Sequence, residues 1–201
     1  MTTQTTPKLG LGSRVALQDL TDLGACWDQL ELFEREFGSS TRLTVENGMR
    51  FHRAGGLPMW IAALMLDERD IEDFMLFTLQ QSMAALLKVP TGLSDEERQT
   101  LERLRFTTPE EREIAFPYLV NQLSTKNSTS VPGEVQVSQW AWAMADTLDE
   151  MFKHTLNYED ARNAAFGVCD AAWESREHVE AIVREQLEWV EARLRLRASE
   201  G

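Results

Sequence analysis

The chain has 201 residues, 43% of them hydrophobic and 26% charged, a balance that builds a folded core and excludes a disordered chain. Acidic residues outnumber basic ones 33 to 20, for a formal charge of −13. That balance excludes tight non-specific binding to nucleic acid, because there is no surplus of cations to displace counterions, and it suits a partner protein with a basic surface, such as a nucleic-acid-binding one.

Residues 1–18 read as a mobile arm. Asp19 or Thr21 opens the first helix, in which Leu23, Cys26, Trp27, Leu30, Phe33 and Phe37 recur at spacings of three and four as one apolar stripe. Gly38 ends it, Ser40 or Thr41 caps a second helix, and Gly55-Gly56 ends that one. Pro58 suits the first position of a third, largely apolar helix, since its missing amide proton would have no partner there. Asp67 caps or kinks the chain before a longer helix to about Lys88, whose buried face is marked by Ile71, Phe74, Met75, Leu79, Met83, Leu86 and Leu87.

Two capping boxes follow the Pro90/Gly92 loop: Ser94 with Glu97, and Thr108 with Glu111, the latter with Pro109 at the first helical position. Pro117 kinks or restarts the helix it interrupts. Residues 125–137 are polar at first and contain Pro132-Gly133, so they read as an exposed connector with a short extended piece at 134–137 and no other strand is expected. Beyond it, Trp140, Met144, Leu148, Met151 and Phe152 line one face. Asn157 caps the next helix, with its stripe of Ala161, Ala164, Ala165 and Val168, and Val179 to Leu194 continue the period, with a bend near Ser175 left open.

These patterns predict an all-α fold, an antiparallel multi-helix bundle of about seven or eight helices. The expected organisation is an arm (1–18), an N-terminal helical half (19–124), a connector (125–137) and a C-terminal half of long helices (138–198), packed as one bundle or as two helical subdomains. The Leu30–Leu66 helices, with their Phe-Glu-Arg-Glu-Phe-Gly segment, are similar to small phage-type accessory proteins at a level too generic to carry residue roles.

The polar N-terminus has no basic-then-apolar leader pattern. The most apolar stretch, residues 57–66, is far short of the ~20 residues needed to span a bilayer. A cytoplasmic setting without membrane attachment is therefore expected. Cys26 and Cys169 sit in apolar helical patterns without metal spacing, which predicts buried free thiols.

Candidate chemistry is sparse. Glu150 with His154, and Glu174 with His178, are each four apart and share a helix face. Two such faces opposed across a bundle would bring two imidazoles and two carboxylates to a metal, as in a helical-bundle hydrolase or oxidoreductase. The simpler reading is ion pairing on a solvated face. Carboxylate pairs three apart (Glu31 with Glu34, Glu110 with Glu113, Glu174 with Glu177, Glu188 with Glu191) lack the second pair on a following helix by which all-helical nucleotide pyrophosphohydrolases hold magnesium. There is no nucleophile elbow, and Gly10-Leu11-Gly12-Ser13 lacks the strand and lysine of a phosphate loop.

The residues thus point to a non-enzymatic interaction protein without a cofactor: an inhibitor, immunity factor or assembly adaptor of a bacterial or phage cytosol. Its candidate docking residues are the ridge Glu180, Glu185, Glu188 and Glu191 with Trp189 beside it, and Trp142, since Trp140 and Trp142 are two apart and cannot both face the core. Arg193, Arg195 and Arg197 complement the last helix's dipole. Self-association through that helix, as in a structural subunit, is the third expectation.

Overall fold

The structure, a computed structural model, describes residues 14–200 except 23, 64, 129–131, 154 and 173–174. It is 78% helical, with ten helices among the described residues, eight of them seven residues or longer, and one small two-stranded sheet. The all-α expectation holds. Residue contacts divide the chain into two compact units: residues up to Asp70 together with those from Val183 on, and Ile71–Ile182. The segment 125–137 lies inside the second unit.

The first unit begins with strand β1 (Arg14–Ala16), helix α1 (Leu17–Asp22) and helix α2 (Trp27–Phe37). Strand β2 (Ser40–Arg42) pairs antiparallel with β1, Val15 opposite Thr41. Residues 14–18 are thus ordered, in contrast to the arm expected there, because β2 supplies ladder partners and Val15 is fully buried. The rest of that arm, 1–13, lies outside the described residues. The single helix expected over 19–37 is two. Gly24 turns the chain at φ 77°, a left-handed conformation that favours glycine. Thr44, rather than Ser40 or Thr41, caps helix α3 (Val45–Arg53), accepting from the Asn47 amide at 3.2 Å. Helix α4 (Pro58–Ala63) starts at its proline. The core here gathers Val15, Leu20, Leu32, Phe33, Phe51 and Ile61, with Phe33 and Phe51 edge to face at 6.0 Å.

Helix α5 (Glu68–Lys88) opens where Asp67 accepts from the amides of Arg69 and Asp70, both at 3.1 Å. From Ile71 it belongs to the second unit, burying Ile71, Phe74, Met75, Leu79, Met83 and Leu86 as the period predicts, whereas Leu87 is only half-buried. Helices α6 (Asp95–Arg103) and α7 (Pro109–Tyr118) carry the two capping boxes, each with both reciprocal hydrogen bonds. Pro117 has no amide to donate, and the chain widens after it into a π-helical turn, Leu119–Leu123, followed by a 3-10 turn, Ser124–Ser128. Helix α8 (Pro132–Met151) packs against both turns, α7 and helix α9 (Tyr158–Ala171). Residues 132–137, expected as loop or strand, are helical: Pro132 occupies the first position of α8 rather than a turn. Asn157 caps α9, accepting from the Glu159 amide at 2.7 Å. Helix α9 ends at Ala171 and helix α10 (Arg176–Glu200) starts after Ser175, whose hydroxyl accepts from the His178 amide at 3.3 Å.

The two cysteines differ. Cys169 is mostly buried, and burial, with the charge of Asp170, pushes its thiol up to about 12. Cys26 is exposed, contrary to expectation, because it sits in extended backbone at the cap of α2, off the apolar stripe. Iodoacetamide at mildly alkaline pH is expected to label Cys26 alone in the folded protein and both thiols after unfolding. Peptide mapping reads this directly, and labelling of Cys169 in the folded state would contradict its burial.

Candidate functional site

The predicted acidic ridge lies on α10. Its charges are largely answered along the same helix: Arg176 stands 3.5 Å from Glu180, Arg184 3.9 Å from Glu188 and Arg195 2.5 Å from Glu191. Glu185 is exposed and Trp189 half-buried. Of the proposed metal ligands, His154 and Glu174 lie outside the described residues. Glu150 is paired with Lys153, and His178 is exposed with its ring 5.8 Å from that of Trp140. Among the described residues, no group of three or more His, Cys, Asp or Glu is arranged to hold a metal ion.

Helix α8 resolves the tryptophan pair. Trp140 is 4% exposed and belongs to the core, whereas Trp142 is 46% exposed. One and two turns further on, at the fourth and seventh positions after Trp142, stand Asp146 and Asp149, both exposed. On a helix these spacings place the three side chains on one face. Among the described residues, neither aspartate has a cationic partner.

Ala143, Thr147 and Glu150 continue from this face into a cleft of about 250 Å³, closed on the α9 side by Asn163, Ala164 and Gly167. The cleft forms because small residues let the helices approach: a Cβ on Gly167 would lie 3.8 Å from that of Ala143. Partial burial at the cleft and the like charge of Asp149 push the Asp146 carboxyl above its ordinary value. Among the described residues, no cation answers these two neighbouring carboxylates.

Asp146 and Asp149 were not singled out from sequence. The available signal was their spacing behind Trp142. What hid it was the abundance of acidic pairs, most of which carry no exposed aromatic on the same face.

The first unit holds an apolar pocket of about 60 Å³, lined chiefly by Phe33, Phe51, Ile61, Met65, Leu187 and Leu194. Its size is that of a packing defect rather than of a cavity that takes a ring-sized ligand. Among the described residues, no helix is long and apolar enough to cross a membrane. Comparison with protein-family models, with curated proteins and with solved structures finds no significant match.

Proposed function

We propose that the protein is a non-enzymatic interaction protein, an inhibitor, immunity factor or adaptor, that docks a basic segment of a partner protein on α8. The observation carrying this reading is the exposed Trp142 on one face with Asp146 and Asp149, which have no cationic partner among the described residues. An arginine side chain suits that face. Its planar guanidinium stacks on an indole and donates hydrogen bonds to a carboxylate one turn away, whereas a lysine ammonium does the second but not the first so well. The chain's net charge of −13 adds long-range attraction for such a segment.

The test is titration of a fluorescent arginine-rich peptide. Asp146→Asn with Asp149→Asn is expected to weaken binding at the α8 face about tenfold, on the scale of a few exposed charge pairs. Glu185→Gln with Glu188→Gln is expected to leave affinity unchanged.

Unfolding would not explain the loss. With its folded value raised, Asp146 stabilises the fold only when protonated, and that contribution disappears as pH rises through the folded value. The double variant is therefore expected to melt higher than the parent at neutral pH, with the difference shrinking towards acid. Unchanged peptide affinity and stoichiometry in the α8 variant would remove this face as the docking site.

A further inference from the structure

The spacing that defines the α8 face occurs a second time, in the first unit. Trp27 is 76% exposed, the most exposed large hydrophobic side chain among the described residues. Glu31 and Glu34 follow at the fourth and seventh positions of the same helix, α2, and both are exposed. Among the described residues neither carboxylate has a cationic partner, since the neighbouring Arg35 turns to Glu36 at 3.4 Å. Leu57, 45% exposed, donates its amide to the Gln29 side chain at 2.9 Å and so adds apolar surface beside the first turn of α2.

With 33 acidic residues among 201, composition alone seldom places two of them at these spacings behind a tryptophan. The same spacing also starts at Trp173, but that residue lies outside the described ones, and Glu180, its last member, pairs with Arg176.

We infer that α2 carries a second arginine-binding face, built from Trp27, Glu31 and Glu34, so that each unit of the protein takes one arginine-rich segment. The inference rests on the α8 reading for the chemistry of the ligand, and its own ground is the recurrence of the same three groups with the same exposure. The complementarity is of charge and shape together: an indole face for the guanidinium plane and two carboxylates along the helix for the next cationic side chains. A lysine-rich peptide of equal charge offers only the second contact and binds more weakly at both faces.

Isothermal titration with a short arginine-rich peptide separates the two claims. The parent protein is expected to take two equivalents. Trp27→Ala with Glu31→Gln and Glu34→Gln is expected to take one, as is Trp142→Ala with Asp146→Asn and Asp149→Asn, and the combined variant none. Because Trp27, Glu31 and Glu34 all face solvent, circular dichroism and the melting temperature of the α2 variant should match the parent.

Two equivalents retained in the α2 variant would overturn the inference while leaving α8 standing. So would a single equivalent in the parent that disappears with the α8 variant. A single equivalent that disappears with the α2 variant would instead overturn the α8 reading. No binding by the parent would overturn both.

Discussion

Replacing Asp70 by asparagine is expected to lower stability by about 3 kcal/mol, the low end of the cost of removing one partner from a buried ion pair. For a chain of this length that is a fall of roughly 6–12 °C in melting temperature. Asp70 is 2% exposed in the first turn of α5, where a negative charge also meets the helix's positive end. Arg193 Nε donates to its Oδ1 at 2.5 Å. The Arg197 guanidinium meets both Asp70 and Asp67, the latter at 3.0 Å, and donates to the Met65 carbonyl at 3.4 Å.

Two cations are therefore held by one buried carboxylate. Asparagine keeps the shape but removes the buried charge that both arginines meet, leaving Arg197 with Asp67. Substituting all three together, Asp70→Leu with Arg193→Met and Arg197→Met, is expected to recover much of the loss, because burying these charges carries its own desolvation cost. Urea unfolding of the single and triple variants measures both effects. A single variant as stable as the parent would mean that water, not the carboxylate, satisfies the two arginines.

Gly133→Ala is expected to cost about 2 kcal/mol by overpacking, although alanine is the better helix former by up to about 1 kcal/mol. Gly133 is buried in the first turn of α8, and a Cβ there would lie 2.7 Å from the Thr91 carbonyl oxygen and 2.8 Å from its carbon. Backbone of that loop has little room to yield. Arg98 donates to the carbonyls of Leu87 and Val89, at 2.5 and 3.3 Å, and Lys126 donates to the Gly92 carbonyl at 2.6 Å. Lys126 also pairs with Glu97 at 2.8 Å, so the α6 capping box and the loop are tied to the same ammonium. Gly92→Ala meets the Gly133 backbone from the other side, at 2.6 Å, and adds the strain of φ 95°, so it should be at least as damaging. Denaturant midpoints decide the matter. A Gly133→Ala protein of parental stability would show that the loop moves aside at little cost.

Much of the helix punctuation was legible because its signals act within one turn. Pro58 and Pro109 at first positions, the Ser94 and Thr108 boxes, the Asn157 cap and Gly38 at a C-terminus all function through hydrogen bonds or backbone angles to near neighbours. Pro132 carried the same kind of signal but was read as a turn, since a proline-glycine pair serves either role until the packing of α8 is known. The strands β1 and β2 were not legible. Three residues carry no usable alternation, and each is a strand only because the other, some 26 residues distant, pairs with it.

At the candidate site, sequence spacing showed that Trp140 and Trp142 could not both be buried, and it put Glu180, Glu188 and Glu191 on a helix. It left undecided which tryptophan faces solvent, a choice made by the elements packed around α8.

What the sequence alone determined is the helical class, the acidic character and half of the helix starts, all of which rest on composition, period and contacts within a turn. The tertiary structure decided that the chain's beginning and end meet in one unit through Asp70, Arg193 and Arg197. It also decided that Trp27 and Trp142 stand exposed beside carboxylates that, among the described residues, no cation answers. Both outcomes depend on contacts between residues far apart in the chain, where burial and charge pairing are settled by which surfaces come together and not by any local pattern.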